Sequence, residues 1–292
     1  MKIAHIVNVT EIDDSKKSSY LHVAQPLTLK SMIIAKKTAK GIVDIDLLAI
    51  KHKQEEINIP GEFRFAPDIE KYAWEYIPVL KNITPRKPLP RMVDIISGLY
   101  NSSDAEYLIY SNLDIGLYAH FYIKVKEMLD MGYDALCINR LDLPKKNNGI
   151  KLDVNTIELI KQVGGKKHPG IDCFVFNRKI VPKMNLNNVY IGFPPVGQVL
   201  KTQVESNSSN FYWVKDHPLT FHIGHDKPWA NSDSPWYREN YNQARGLYVQ
   251  CINIWNCMQS RYKNRIIKFV ISPKSSFEQI AILAGSTDWI LN

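Results

Sequence analysis

An α/β fold with a mostly parallel central sheet flanked by helices is what this sequence predicts, and three observations predict it. Short apolar, β-rich segments alternate along the chain with longer amphipathic ones, the pattern of repeated strand–helix–strand units. Several amphipathic segments end at a glycine (Gly41, Gly132, Gly164) where a helix would stop. The composition is globular, 45% hydrophobic and 23% charged over 292 residues. It contains no run of about 18 apolar residues, so no transmembrane helix is expected.

Lys2 to Val9 is apolar and reads as a buried first strand. Pro26 to Lys40 comes next as a helix, with Pro26 expected in its first turn and Gly41 as its stop. Ile42 to Ile50 is a second strand. Pro85 to Pro90 reads as a loop, Met92 to Tyr100 as a helix, and Glu106 to Ser111 as a strand running into Asn112-Leu113-Asp114. Tyr118 to Met131 is an amphipathic helix, and Asp134 to Asn139 a further strand. Pro144 to Gly149 reads as a loop, Val154 to Val163 as a helix closed by Gly164-Gly165, and Asp172 to Phe176 as a strand. Ser206 to Asn210 reads as a loop, Leu219 to Ile223 as a last strand, and Tyr237 to Arg261 as a long helix. No repeat or linker divides the chain, so we expect one catalytic domain over 1–235 and a C-terminal helical extension, 236–292, packed on it.

The N-terminus reaches polar residues at once and has no apolar core of signal-peptide length. Four scattered cysteines (Cys137, Cys173, Cys251, Cys257) form neither a disulfide framework nor a zinc pattern. A reduced, cytoplasmic protein is expected. The balance of 37 basic to 29 acidic residues, net +8, suits anionic partners such as nucleotides, phospho-sugars, acidic lipid headgroups or nucleic acid; it equally suits plain solubility.

In open α/β sheets, ligands bind off the carboxyl ends of the strands, which directs attention to the residues just past each strand. There is no GxGxxG after the first strand and no GxxxxGK[ST] anywhere, so dinucleotide-binding and P-loop sites are disfavoured. Instead the strand Tyr107-Leu108-Ile109-Tyr110-Ser111 runs into Asn112-x-Asp114. Alternation puts Asn112 and Asp114 on one side of the chain, where two oxygens could hold a hard cation that in turn binds a diphosphate. The bland reading is an Asx turn. Far downstream stands Phe221-His222-Ile223-Gly224-His225-Asp226-Lys227-Pro228-Trp229. Its histidines suit manganese, Gly224 allows close backbone approach, and Lys227 is a point charge suited to phosphate. The bland reading here is a surface loop.

Together the two segments resemble those of the GT-A fold nucleotide-sugar glycosyltransferases. The downstream loop is most similar to that of the glycogenin and bacterial lipooligosaccharide galactosyltransferase group. The resemblance implies a GT-A-like, Rossmann-like single domain. It also implies manganese (or magnesium) on the DxD step and a later histidine, and a nucleoside diphosphate sugar whose diphosphate meets the lysine. On this sequence that places the metal on Asn112, Asp114 and His222, with Lys227 and Gly224 at the donor phosphates. Two positions depart from the family pattern. Asn112 stands where the first carboxylate is expected. Phe221 occupies the usual histidine position, leaving His222 two residues before Gly224 and His225 one after; His222 is preferred as ligand and His225 is its rival. The resemblance favours retention of anomeric configuration and leaves inversion open.

Other candidates combine position with the same resemblance, which implies that comparable segments line the acceptor, reach the donor, and hold the base and ribose. His168-Pro169-Gly170-Ile171-Asp172 leads into a buried strand, and Asp172 could hold an acceptor hydroxyl or act as a base, or merely cap the turn. Arg91, with Asp94, begins the helix before the Asn-x-Asp strand and could reach the donor, or lie in solvent. Asn8 and Thr10, at the end of the first strand, are suited to base and ribose. Trp213, Trp229 and Trp236 offer faces for a sugar or for the core. Arg261, Lys263, Arg265 and Lys268, with Ile266, Ile267 and Phe269, suit peripheral contact with an anionic membrane, or a solvated helix end.

The expected activity is transfer of a sugar from a nucleoside diphosphate sugar to a hydroxyl of a glycan or lipid-linked acceptor. One rival, a sugar nucleotidyltransferase, wants a glycine-rich loop after the first strand, and no glycine stands between Val9 and Gly41. The other rival is a non-catalytic basic protein binding glycans or nucleic acid. Aromatic RNA-binding signatures are not apparent, so nucleic acid is not expected as a partner.

Overall fold

The computed structural model describes residues 1–12, 20–223 and 233–258, with side chains described as far as 247. Its strands are β1 (Lys2–Asn8), β2 (Asp44–Ile50), β3 (Phe63–Phe65), β4 (Tyr107–Ser111), β5 (Gly116–Leu117), β6 (Ala135–Leu143), β7 (Lys146–Asn147), β8 (Ile150–Lys151), β9 (Lys166–Asn177), β10 (Phe211–Val214) and β11 (Thr220–Ile223). The helices are α1 (Leu21–Thr38), α2 (Ala73–Tyr76), α3 (Met92–Ser102), α4 (Phe121–Asp130), α5 (Val196–Asn207) and α6 (Pro235–Met258). Short 3-10 segments occupy Pro78–Asn82, Val154–Gln162 and Arg178–Lys183.

The main sheet runs β3-β2-β1-β4-β9-β6-β11-β5, with β10 beside the first half of β6 and β11 beside its second half. β1, β2, β3 and β4 are mutually parallel, and β6, β10 and β11 are parallel to one another. The long strand β9 runs antiparallel between β4 and β6. The α/β class and the mostly parallel sheet therefore hold, with one antiparallel strand at the centre.

Alternation along each strand builds two cores, one on each face. Ala4, Ile6, Leu108, Tyr110, Phe174 and Phe176 face α3, α5 and α6 through Ile95, Leu99, Leu200, Val204 and Tyr241. Ile3, Val7, Ile109, Cys173 and Val175 face α1 and α4 through Met32, Ile33, Phe121, Val125 and Leu129. Each fully buried apolar side chain contributes roughly 1.5–3 kcal/mol, so both faces must stay covered. α6 shares the first core through Tyr241, Ala244 and Leu247; residues beyond 258, including Arg261 to Phe269, lie outside the described residues.

Several expectations change. α1 begins at Leu21, so Pro26 sits inside the helix and not in its first turn. The buried Val23, Ala24 and Leu27 carry that extra turn despite the bond Pro26 cannot donate. The expected helix at Val154 to Val163 is a pair of 3-10 turns kinked at Thr156, started by the Asp153 side chain accepting from the Asn155 N–H at 2.9 Å. The loop expected at Pro144 to Gly149 holds the β7–β8 hairpin, with Asn148 and Gly149 at positive φ. β9 is far longer than Asp172 to Phe176, because it pairs along both neighbours. The buried Cys137 and Cys173 are free, and burial pushes both thiols up.

Candidate active site

Strand order reverses at β1: β2 and β3 lie on one side of it, β4 on the other. A crevice outside the carboxyl ends of the strands forms at such a switch point. Asn8 ends β1 and Asn112 stands just past β4, so the sequence-predicted residues at both ends flank that crevice.

After β4 the chain turns, with the Ile115 N–H donating to the Asn112 carbonyl at 3.1 Å, and returns as β5. β5 pairs antiparallel with β11. β11 also lies parallel to β6, with His222 directly opposite Asp142. Three chain segments far apart in sequence thereby converge. His222 Nε2 lies 3.3 Å from Asp114 Oδ2, and its Nδ1 lies 3.8 Å from Asp142 Oδ1. Burial disfavours charge on both partners, but the mutual attraction wins: the Asp114 carboxyl is held below its ordinary range and the His222 imidazole is raised above its own.

Beside this pair, Asp172 is clamped. Its Oδ1 accepts from Asn112 Nδ2 at 2.9 Å and its Oδ2 accepts from Arg140 Nη1. The backbone N–H of Asn112 donates to the Asp172 carbonyl at 2.9 Å, and Asn112 Oδ1 accepts from the Tyr110 hydroxyl at 2.8 Å. Arg140 also donates from Nε to Asp142 Oδ1 at 2.9 Å. Burial opposes the charge on Asp142, but Arg140 outweighs it and lowers the carboxyl. His168 accepts the Gly170 N–H on Nδ1 at 2.8 Å, leaving its Nε2 toward Asp142 Oδ2 at 4.0 Å. Gly170 has no room for a Cβ, which would stand 2.9 Å from Asp172 Oδ2.

Arg140 and Asp142 are functional candidates that sequence reasoning misses. The apolar run ends at Asn139, whereas β6 continues to Leu143. Their two-residue spacing along a strand, one face of the pleat, was the available signal.

The remaining predicted residues have other partners. Asn8 is buried and donates to the Ile50 carbonyl at 3.0 Å. The Thr10 hydroxyl donates to Glu55 Oε1 at 2.6 Å, and its backbone exchanges hydrogen bonds with the Gln25 amide. Glu55 Oε2 accepts the His52 N–H at 3.0 Å, tying the ends of β1 and β2 together. The His52 ring stacks on Tyr72 at 3.7 Å, and its buried Nε2 has no hydrogen-bond partner among the described residues. Arg91 is not brought into the Asp172 cluster. Its guanidinium grips Asp94 at 2.9 and 2.7 Å and Asn188 at 2.9 Å, and stacks on Tyr76. Trp213 donates to Asn139 and has Lys201 and Lys215 on its ring, while Trp236 is buried against Tyr190. Neither tryptophan offers an open face to a sugar. Gly224, His225, Lys227 and Trp229 lie outside the described residues.

A divalent cation would find a carboxylate and an imidazole here, Asp114 and His222. No group of three His, Cys, Asp or Glu side chains is arranged for a metal among the described residues. Asn112 is engaged with Asp172 and Tyr110. The two remaining donors fit a magnesium- or manganese-like ion whose other positions go to water and phosphate oxygens.

No protein-family model and no curated protein matches the sequence. Among solved structures the chain is similar to S. aureus TarS, residues 1–349 in complex with UDP-GlcNAc. That similarity is 9% identity over 98% of this chain and 71% of that one, with a TM-score of 0.48. The chain is also similar to glucosyl-3-phosphoglycerate synthase from Mycobacterium tuberculosis in complex with Mn2+, UDP-glucose and phosphoglyceric acid, at 9% identity over 84% of this chain and 79% of that one, TM-score 0.46.

Proposed function

We propose that this chain is a GT-A-like glycosyltransferase. It would move a sugar from a nucleoside diphosphate sugar to a hydroxyl of a glycan or lipid-linked acceptor, assisted by a divalent cation. The observation that carries the reading is the pairing of Asp114 with His222 at the carboxyl ends of β4 and β11. These are the two segments whose sequences resemble the glycosyltransferase motifs.

The charge of the site supports the same reading. Asp114, Asp142 and Asp172 outnumber the one arginine among them, Arg140. A diphosphate would be repelled from such a cluster unless a cation came with it. When bound, that cation neutralises the charge building on the departing diphosphate. Asp114 and His222 would hold it on the protein side, and Lys227 and Gly224 would meet the phosphates. The base and ribose would lie at the end of β1, where Asn8 and Thr10 shape the backbone through their bonds to Ile50 and Glu55. Both carboxylate oxygens of Asp172 already accept hydrogen bonds, which fix the direction of the carboxylate and suit it to orient the acceptor hydroxyl through its remaining lone pairs. Arg140 keeps that carboxylate in place, and Asp142 faces the nitrogen of His222 that points away from Asp114.

The test is turnover of a panel of nucleoside diphosphate sugars with manganese by the native chain and by Asp114→Ala. The reading expects metal-dependent release of one nucleoside diphosphate, with a loss of at least about 100-fold in Asp114→Ala. Full activity in the variant would remove the metal site. Formation of a sugar nucleotide from a nucleoside triphosphate would favour the nucleotidyltransferase.

A further inference from the structure

The segment from Lys71 to Arg91 carries five basic residues and a single acid, Glu75. Glu75 is turned inward, its carboxylate accepting the Tyr72 N–H at 2.8 Å. Arg91 is satisfied by Asp94 and Asn188. The other four cations, Lys71, Lys81, Arg86 and Lys87, form no salt bridge among the described residues. Three of them lie over aromatic rings: the Arg86 guanidinium lies 4.5 Å from the Trp74 ring, Lys87 Nζ 5.6 Å from Phe193, and Lys71 Nζ 5.6 Å from Tyr76. Arg86 also reaches the Lys81 carbonyl at 3.4 Å, which closes the 81–86 turn within the patch. Between them, on the 3-10 turn Pro78–Asn82, Val79 is 60% exposed.

The fold places this patch on the same rim as the Asp114–His222 pair. α3 joins β4 through only four residues, so its start, just after Arg91, lies at the carboxyl end of the sheet. Arg91 stacks on Tyr76 there, and His52, just beyond the end of β2, stacks on Tyr72.

We propose that the Lys71–Lys87 surface docks the protein on an anionic lipid bilayer, with Val79 and the Trp74 edge meeting the headgroup–acyl boundary and the four cations meeting lipid phosphates. Clustered cations attract an anionic leaflet, each adding to the binding within a Debye length. The exposed Val79 and the partly buried Trp74 indole among them add apolar contact with the boundary, which a dissolved polyanion does not supply. The inference does not depend on the reaction proposed above, because any chemistry at that rim would face the membrane.

The test is cosedimentation of the full chain with phosphatidylcholine vesicles, with and without about 30 mol% phosphatidylserine. The fourfold variant Lys71→Gln, Lys81→Gln, Arg86→Gln, Lys87→Gln should lose at least about tenfold in partitioning onto the anionic vesicles. Val79→Asp alone should weaken partitioning severalfold. A control at the opposite end of the sheet, Lys36→Gln, Lys37→Gln, Lys40→Gln, should bind like the native chain. If the fourfold variant does not fold by circular dichroism, the pair Lys81→Gln, Arg86→Gln replaces it. Absence of binding to anionic vesicles, or equal binding by the patch and control variants, overturns the proposal. So does patch-dependent binding to heparin without binding to vesicles, which would assign the surface to a soluble polyanion.

Discussion

Arg140 spans Asp142 and Asp172 with one planar fork, so its removal leaves two largely buried carboxylates without their cation. Arg140→Met is expected to destabilise the fold by about 3–5 kcal/mol in urea titrations. Arg140→Lys should not restore the loss, because a point charge cannot serve both carboxylates with fork geometry. A second residue-scale prediction concerns His5. It is fully buried, with Tyr122 Oη at 2.9 Å and Ser111 Oγ at 2.8 Å on its two nitrogens, and burial lowers it from 6.5 to about 3. The folded state therefore holds it neutral while the unfolded chain takes up a proton below its ordinary value. Its contribution is complete above about pH 6.5 and is lost as pH falls toward 3, at up to about 1.4 kcal/mol per pH unit. His222 works the other way: its raised value gives stability that is present at low pH and lost as pH rises through that value. Comparing His5→Gln with the native chain isolates the first term. The variant's stability should fall less steeply between about pH 6.5 and about pH 4.5, and an unchanged slope would contradict it. Asp114 and His222 were legible as residues because their short motifs carry their own chemistry. Arg140 and Asp142 were not, because their role exists only once β6 lies between β9 and β11.

Elements are held at their spacing by two glycines that the sequence does not single out. At Gly197, in the first turn of α5, an added Cβ would stand 2.7 Å from the Ile171 carbonyl oxygen, one residue before Asp172. Gly197→Ala should push α5 off β9 and cost about 1–3 kcal/mol of stability in denaturant. Gly116 in β5 faces the ring of Phe221 in β11 with no room for a methyl group. Gly116→Ala should displace β11 and with it His222, weakening metal-dependent nucleotide binding more than it lowers the melting temperature. The strand–helix alternation of the first half was legible from its apolar periodicity. α5 was not, because Lys201, Thr202, Gln203 and Ser206 are buried along with its apolar residues and blur the pattern. β3, β5 and β10 are too short to show a period. The antiparallel course of β9 leaves no trace in an apolar run, since a strand buried on both faces reads the same in either direction.

Across the whole molecule, a net charge of +8 contrasts with the three carboxylates, Asp114, Asp142 and Asp172, gathered around Arg140 and His222. Under the proposed reaction that contrast would suit a cation-bridged anionic donor: the basic surface would draw the anion in, and the carboxylates would admit it only with a cation. The most direct test is the thermal melting of the full chain with UDP, GDP and CDP, each with and without manganese. A ligand that binds only the folded state at about 100 times its dissociation constant adds about 2.7 kcal/mol, several degrees for a chain of this size. The account predicts such a shift for one nucleotide, only with manganese, and its loss in Asp114→Ala. No shift with any nucleotide, or a shift that persists without metal or without Asp114, would contradict it.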